Sequence, residues 1–463
     1  MGPRGGFDGV NVTTVARRKG RIATGLDRVR HCLPNPPMNL SARTCLLTPI
    51  VLALAVANNV SGADWPRWRG PENTGAVSDK AHWMEKLPAE AKVLWKVPAG
   101  PGFSSPVVEG DHVLFLDNQD DKETIHLFSA KDGARRWKET LDGTFKDSQG
   151  PRGPRCTPVL DGPLLFAQSS QGEFQCRQVA DGKLVWRTNF SDFGAKFIGE
   201  KGNAPGAVRH GNNGSPLVDG DNVFVQVGGT NASVVCFQKK TGKVVWASES
   251  DVPGYAAPFI ATVAGVKQLV SFTADGVIGL DVNTGKLLWR FPVKTAFARH
   301  VTTPVVVGDM VIVSSHQVGL IGIRVSKDGN GLKAEQAWLN KDGAMNFSSP
   351  IAVEGHIVGL GPKKDIVSVD AATGKLAWSQ QGLIASSADK AHAGFIRLGG
   401  NVLMLSDSGE LVLFNADPKA LAELGRVQVC GANWCNPAFA NGVLFLRDGI
   451  KAGGELMAVA LAP

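Results

Sequence analysis

Short apolar runs separated by turn residues repeat along the chain from about residue 92 to its end. In one representative stretch the apolar runs lie at residues 217–218, 223–227, 234–237 and 244–246, and the segments between them are rich in glycine, aspartate and threonine. The Asp-Gly, Gly-Gly and Thr-Gly pairs supply the positive φ angles that tight hairpins require. The pattern therefore predicts a four-stranded antiparallel sheet in each unit.

Two short phrases mark the repeating unit. A turn followed by an apolar stretch that ends in tryptophan occurs as AKDGARRW (130–137), VADGKLVW (179–186), KKTGKVVW (239–246), VNTGKLLW (282–289) and AATGKLAW (371–378). A second phrase, a small residue and a proline before apolar residues, opens the first strand of six units, at Pro106, Pro158, Pro216, Pro258, Pro304 and Pro350. Two degenerate copies begin at Ala393 and Asn436, so the count of units is eight.

Such a sheet is apolar on both faces, and stacking copies around an axis buries both of them. The chain is therefore predicted to be all-β, an eight-bladed β-propeller. The last unit ends after residues 455–461 without a tryptophan strand, and an unassigned strand, KVLWKV at 92–97, carries Trp95 where the repeat tryptophan belongs. We expect this N-terminal strand to complete the C-terminal blade. An open solenoid is the alternative, but a solenoid needs polar caps.

The basic charge is concentrated ahead of the repeats. The net charge is +7, from 49 basic and 42 acidic residues, yet residues 1–63 hold eight of the basic and two of the acidic residues, which leaves 41 and 40. The region 38–63 has a basic start, an apolar run at 45–57 and small residues before position 64, which predicts a signal peptide. A membrane anchor is the alternative. Residues 1–37 form an upstream extension that is predicted not to be translated, 64–91 a tryptophan-rich lead segment and 92–463 the propeller.

Five cysteines lie beyond the predicted cleavage site: Cys156, Cys176, Cys236, Cys430 and Cys435. An odd number leaves at least one thiol unpaired in an exported protein. Cys430 and Cys435 flank a loop and can be bridged, whereas Cys176 and Cys236 suit burial as small apolar strand residues. The spacing matches no metal-binding motif, so no metal site is predicted.

The TGKxxW strand ending in a split eight-bladed ring resembles the pyrroloquinoline-quinone-type propeller superfamily. That group includes quinoprotein alcohol dehydrogenases, polyvinyl-alcohol dehydrogenase among them, and the propeller lipoprotein of the outer-membrane barrel-assembly machinery. The resemblance covers about residues 64–463, and DWPRWRGPENTG at 64–75 is similar to the lead segment of exported bacterial members. It implies that the repeat tryptophans are structural and dock each blade onto the next: Trp95, Trp137, Trp186, Trp246, Trp289 and Trp378.

In a propeller, the loops that lead into the inner strands surround one mouth of the axis. Here they carry arginine, histidine, asparagine and aromatic side chains, which gives these candidate ligand residues: Arg152, Arg155, Arg209, His210, Asn212, Tyr255, Arg299, His300, Asn346, His392 and Trp434. Arginine forks suit carboxylates and phosphates, and the rings suit a flat ligand. The nearest carboxylates, Asp147, Asp251 and Asp389, lie several residues away.

The longest insertion between blades spans residues 188–214. Its Phe190, Phe193, Phe197 and Ile198 are expected to cover the mouth or to offer a partner surface. Each candidate residue also has a plain structural explanation as a group that braces a loop.

Two functions follow from these observations. The first is an exported binding scaffold, expected to be monomeric, which takes a protein, a peptide or an anionic small molecule at its funnel. The second is a dehydrogenase that oxidises alcohols with pyrroloquinoline quinone and calcium, as the resemblance implies. Quinoprotein dehydrogenases carry adjacent cysteines, a Glu/Asn/Asp calcium set and an aspartate base, and this sequence has no Cys-Cys pair and no clear carboxylate cluster. The near-neutral domain disfavours nucleic acid, and membrane contact is expected only through the transient signal peptide.

Overall fold

The computed structural model describes residues 64–146, 150–197, 199, 204–315, 317–386, 391–449 and 453–461. The upstream extension predicted at 1–37 and the signal peptide predicted at 38–63 lie outside the described residues. Within them, strands dominate, and the helical elements are α1 (Gly206–His210) and the 3₁₀ turns Lys80–His82, Phe190–Phe193 and Ala296–Ala298. No helix in the described ranges combines the length and apolarity that a membrane span needs.

Eight sheets follow one another along the described chain, and the predicted eight-bladed propeller is confirmed. Ahead of blade 1 lie β1 (Ala76–Val77) and β2 (Lys92–Ala99). Blade 1 consists of β3 (Val107–Glu109), β4 (His112–Gln119), β5 (Lys122–Ser129) and β6 (Arg135–Gly143), and blade 2 of β7 (Val159–Asp161), β8 (Leu164–Gln168), β9 (Glu173–Gln178) and β10 (Leu184–Asn189). Blade 3 consists of β11 (Leu217–Asp219), β12 (Asn222–Gly229), β13 (Ala232–Gln238) and β14 (Val244–Ser248), and blade 4 of β15 (Phe259–Val263), β16 (Val266–Phe272), β17 (Gly276–Asp281) and β18 (Leu287–Pro292).

The second half of the ring repeats the plan. Blade 5 consists of β19 (Val305–Val307), β20 (Met310–Ser315), β21 (Gly319–Asp328) and β22 (Gly331–Asn340), and blade 6 of β23 (Ile351–Val353), β24 (His356–Leu360), β25 (Ile366–Asp370) and β26 (Leu376–Gln380). Blade 7 consists of β27 (Ala393–Leu398), β28 (Asn401–Ser406), β29 (Glu410–Asp417) and β30 (Ala420–Gln428), and blade 8 contains β31 (Ala438–Ala440), β32 (Val443–Asp448) and β33 (Gly454–Ala460).

The ring is closed by the strand that the sequence pattern predicts. Strand β2 pairs antiparallel with β33, with Trp95 opposite Ala458, so the final sheet has the order β2-β33-β32-β31. This pairing joins the two ends of the propeller and covers the edge of β33 that would otherwise be unpaired. Blade 7 gains an unpredicted fifth strand, because β1 pairs in parallel with β27.

The hydrophobic core lies between neighbouring blades. One cluster, for example, joins Phe166 and Phe174 of blade 2 to Val225 and Phe237 of blade 3, and all four side chains are fully buried. Similar clusters join the other pairs of blades in the described chain. Burial on both faces explains why middle strands of the blades, such as β4 and β8, are apolar runs, whereas fourth strands such as β6 and β10 are largely exposed.

The repeat tryptophans connect each blade to the next. Five of the six predicted docking residues donate the indole Nε1–H to a backbone carbonyl of the following blade: Trp95 to Ala130, Trp137 to Val179, Trp186 to Lys239, Trp246 to Val282 and Trp378 to Asp417. In four of these pairs the ring also lies on a turn glycine with positive φ, where a Cβ would lie 2.5–2.9 Å from ring atoms: Gly133, Gly182, Gly242 and Gly285. A side chain at these glycines would therefore push the blades apart.

Trp289 departs from this arrangement. Its Nε1–H donates to Gln268 of its own blade, because the hairpin of β21 and β22 in blade 5 is long and has no Thr-Gly turn to receive the ring. Blade 5 instead supplies Trp338, which was not among the predicted residues. Its Nε1–H donates to Ala371 at 3.1 Å, and its ring lies on Gly374.

Candidate functional site: the axial funnel

A funnel of about 720 Å³ opens where the chain enters the inner strands. That volume lies within the range of small-molecule sites, roughly 300–1,000 Å³. Eight of the eleven predicted ligand residues line it: Arg155, Arg209, His210, Tyr255, Arg299, Asn346, His392 and Trp434. They come from the entrance loops of seven blades, 2 to 8, so residues up to 279 positions apart (Arg155 to Trp434) face one space.

One half of the funnel, built by blades 2 to 5, carries the basic side chains; we call it the cationic wall. The guanidinium of Arg155 lies 5.0 Å from the ring centroid of Phe103, and that of Arg209 lies 4.5 Å from the ring of Phe297. Arg299 approaches Phe297 at 5.9 Å. Stacking on an aromatic face restrains a guanidinium and leaves its edge N–H groups directed along the ring plane.

Local backbone geometry places Arg209 in this wall. The short helix α1 begins at Gly206, whose φ is +53° and where a Cβ would lie 2.2 Å from the carbonyl oxygen of Pro253. The amide of Ala207 donates to the same oxygen at 2.9 Å. Glycine is therefore required for α1 to pack against the loop of blade 4, and the last turn then delivers Arg209 and His210 to the funnel.

The other half, contributed by the entrance loops of blades 6, 7, 8 and 1, is the aromatic wall. Trp434 is its centre: the ring centroid lies 5.4 Å from His392 in a stacked arrangement, 5.5 Å from Phe347 and 6.4 Å from Phe103. These centroid distances fall within the range of favourable aromatic pairs, roughly 4.5–7 Å. The rings of Phe103 and Phe347 are tilted by 53° and 56° to that of Trp434, so the wall is a packed apolar cluster.

Histidine contributes less charge than the sequence suggests. Burial lowers the pKa of His392 to about 4, so its ring is neutral at physiological pH. Its Nδ1 has no hydrogen-bond partner among the described residues, and the same holds for Oδ1 of Asn346. Both side chains line the funnel, but the two unpartnered atoms themselves are buried away from its open space.

Three predicted residues are not in the lining. Arg152 is exposed and forms an ion pair with Asp121, at 3.4 Å. Asn212 is buried and donates its side-chain amide to the carbonyl of Ser169. His300 stacks on Phe272 at 4.3 Å, and burial lowers its pKa. These three brace loops and blades.

The long insertion of residues 188–214 does not cover the mouth with its phenylalanines, which corrects that expectation. Phe190 is fully buried against Phe174, and Phe193 packs edge-on against Phe237 at 5.7 Å. Phe197 joins the same cluster between blades 2 and 3. The burial of apolar rings between two sheets is favoured over their exposure above a polar mouth. Ile198 lies outside the described residues.

The structure adds lining residues that the sequence did not single out. Hydroxyl groups form a partial ring at the base, where the amide of each blade donates to the side chain of the next: Ser105 to Thr157, Thr157 to Ser215 and Thr303 to Ser349. Phe297 and Trp68 also line the funnel. The repeated Ser/Thr-Pro phrase was the available signal for the hydroxyl ring.

No carboxylate occurs among the described residues that line the funnel. Asp251 is buried and ion-paired with Arg290 at 2.7 Å, while Asp147 and Asp389 lie outside the described residues. The described ranges also hold no cluster of three or more side chains suited to a metal. The five described cysteines are free thiols, so Cys430 and Cys435 are not bridged; Cys176 and Cys236 are buried, as predicted.

A quinone cofactor with calcium can be tested against this lining. The arginines and rings suit the negative charge and the flatness of pyrroloquinoline quinone. Calcium requires several oxygen ligands with carboxylates among them, and the described lining supplies no carboxylate. The described residues therefore do not fit calcium-assisted quinone chemistry, and we derive no catalytic step through it.

The fold and the repeat define the class, a propeller of the pyrroloquinoline-quinone type. The family described as outer membrane protein assembly factor BamB matches residues 121–380, more than half of the chain. The protein belongs to this family.

Individual proteins are similar to it over different ranges. Quinohemoprotein alcohol dehydrogenase ADH IIB of Pseudomonas putida is 27% identical over 157 residues, which are 32% of this chain and 21% of that protein. The chain thus spans about a fifth of that relative. BamB of Moraxella catarrhalis has a similar fold, with a TM-score of 0.55 and 14% identity over 80% of this chain and 99% of that one. The designed protein Ika8 gives a TM-score of 0.53 and 12% identity over 80% of this chain and 100% of its own.

Proposed function

We propose that this protein is an exported, non-catalytic binding propeller whose funnel takes an anionic ligand that carries a flat ring. The division of the funnel is the observation that carries the proposal. Three arginines of one wall lie over phenylalanine rings, of which Phe103 belongs to the other wall, Trp434 and its neighbours line that other wall, and the described lining has no carboxylate. A concave site that is lined by guanidinium groups and lacks carboxylates attracts anions and repels cations.

The family supports a binding role. The name of the matching family describes an outer membrane protein assembly factor, which is in keeping with a protein that binds partners. The ligand group can therefore be part of a small molecule or the acidic, aromatic end of a peptide, since both present the same chemistry to the funnel. Export is part of the proposal and rests on the predicted signal peptide; N-terminal sequencing of the mature protein, with a start near residue 64, would support it.

The test is calorimetric titration with two probes, pyrroloquinoline quinone without calcium and a short peptide of glutamate and phenylalanine. Arg209→Ala should weaken binding of the preferred probe about 10- to 100-fold, because a hydrogen bond to a charged group contributes roughly 1.5–3 kcal/mol. Arg152→Ala is the matched control, since this exposed arginine lies outside the lining, and it should bind as the parent protein does. Equal losses in both variants, or no binding of either probe, would contradict the proposal.

A second candidate is alcohol oxidation, favoured by the stretch that is similar to the Pseudomonas putida dehydrogenase. Reconstitution with pyrroloquinoline quinone and calcium, followed by dye reduction with a series of alcohols, separates the two functions. A binding propeller takes up the quinone without turnover. Turnover that depends on calcium would establish the dehydrogenase instead.

A further inference from the structure

The first part of the lead segment, residues 64–75, runs across the axis of the ring. Trp65 exchanges two backbone hydrogen bonds with Val108 of blade 1, each 2.8 Å, and the amide of Leu160 in blade 2 donates to the carbonyl of Pro66. The guanidinium of Arg67 donates to the carbonyl of Val218 in blade 3, at 2.6 Å. Three consecutive residues thus contact the innermost strands of three consecutive blades.

The same segment then reaches the opposite side. The indole Nε1–H of Trp68 donates to Oγ1 of Thr303, just ahead of blade 5, at 2.8 Å, and Arg69 donates to the carbonyl of Pro350, just ahead of blade 6. The carbonyl of Gly75 accepts from Arg397 of blade 7. Strand β1 continues alongside β27, the innermost strand of that blade, so the chain lies on the axial side of the sheet.

Trp68 is the residue of this segment that faces the funnel. Its ring is half-buried and belongs to the lining, next to the hydroxyl ring at the base. Its position is fixed from two sides, since its Nε1–H is bonded to Thr303 and its carbonyl accepts from Nδ2 of Asn73 at 2.8 Å. Asn73 and Arg69 are themselves buried, which anchors the C-terminal flank of the tryptophan.

From this placement we infer that the lead segment closes the inner end of the funnel, with the ring of Trp68 as its floor. The nature of the ligand is taken from the proposed function, whereas the closure itself rests on the hydrogen bonds described above. A closed floor makes the funnel a blind pocket that a ligand enters only from the mouth, so an extended chain cannot thread through it. The deepest group of the ligand meets an indole ring, and a flat ring is therefore selected over a branched anion of equal charge.

The first arm of the test needs no ligand. Thr303→Cys places a thiol against the indole edge of Trp68, at a position that is 1% exposed, and its sulfur keeps a weaker acceptor for the Nε1–H. With Trp68 present, a small anionic methanethiosulfonate reagent should label this thiol slowly, and Trp68→Ala should accelerate labelling about tenfold or more, because thiol reactivity depends on access. Trp83→Ala is the control, since that ring lies on Gly399 in blade 7. Trp68→Val replaces the alanine variant if the latter does not fold.

Native thiols set the background in this assay. Cys435 is in the lining, but burial raises its pKa to about 11, and the parent protein with Thr303 intact measures its contribution. Rapid labelling of the thiol introduced by Thr303→Cys while Trp68 is in place would overturn the closed floor whether or not any ligand binds.

The second arm compares pyrroloquinoline quinone with citrate, a branched anion. Trp68→Ala should weaken binding of the quinone about five- to tenfold and leave the affinity for citrate unchanged, whereas Trp68→Phe should keep most of the preference. If the quinone binds through Arg209 but Trp68→Ala has no effect, the floor is refuted and the proposed function stands. If neither anion binds the parent protein, the proposed function fails, and the labelling arm decides the floor alone.

Discussion

The two walls of the funnel recognise different features of a ligand, one its charge and the other its shape. On the cationic wall, Arg155, Arg209 and Arg299 each present a positively charged guanidinium to the funnel. On the aromatic wall, the ionisable side chain that stacks on Trp434 is His392, and burial keeps it neutral. One wall therefore selects charge and the other selects shape.

The walls also differ in how they are built. The arginines stand on loops and on the short helix α1, and each is restrained by one phenylalanine. The aromatic wall is a contiguous cluster from four blades in which each ring contacts Trp434. Loss of one arginine removes one charge, but loss of Trp434 removes the support of three neighbours.

Trp434→Ala should therefore have the largest effect on the shape preference. We expect the affinity for pyrroloquinoline quinone to fall about tenfold, since each aromatic contact contributes roughly 0.5–1.5 kcal/mol beyond burial of area. The salt dependence of binding should stay as in the parent protein, because the charges of the cationic wall are intact. Titrations at two ionic strengths measure both quantities. A flattened salt dependence in Trp434→Ala would show that the walls do not act separately.

Much of the fold could be predicted because its determinants are local and repeated. The Thr-Gly turns and the tryptophans recur in blade after blade, and the unassigned strand with Trp95 predicted the closure with β33. The role of Trp338 could not be predicted, since its blade replaces the short turn by the long hairpin of β21 and β22. Trp289 has a different partner for the same reason.

The sequence could predict which loops form the site but not which residues of each loop face the funnel. Equivalence of the blades predicts which loops surround the mouth, but neighbours in one loop diverge: Arg299 lines the funnel, whereas His300 packs on Phe272. Such choices depend on packing that is not periodic in the sequence. The position of Trp68 in the funnel could not be predicted for another reason. Its hydrogen-bond partner Thr303 lies 235 positions away, and no repeat relates the two residues.

The cationic wall should respond to pH through a carboxyl group behind it. Burial raises the pKa of Glu123 to about 7, although Ser170 donates to it and Arg155 lies near. Above pH 7 the ionised carboxylate offsets part of the charge of Arg155, so binding of a sulfonate-bearing aromatic probe should weaken about two- to threefold between about pH 6 and 8. Glu123→Gln should remove this dependence. An unchanged pH profile in that variant would exclude Glu123 as its source.

The aromatic wall should respond at lower pH than the cationic wall, and the response should appear in the stability of the folded protein. His392 has its pKa lowered by burial from 6.5 to about 4, so between these values the unfolded chain binds a proton that the folded protein does not. The free energy of unfolding contributed by the neutral ring is complete above about pH 6.5 and is lost as the pH falls towards about 4.

Replacement of His392 by phenylalanine keeps a ring against Trp434 but removes the titrating group. The melting temperature of His392→Phe should therefore fall less between about pH 7 and 5 than that of the parent protein, by roughly one to three degrees. His356→Phe, on β24 and outside the funnel, serves as the control and should follow the parent. If the melting temperatures of His392→Phe and His356→Phe fall by the same amount between about pH 7 and 5, the pH dependence of stability does not come from His392.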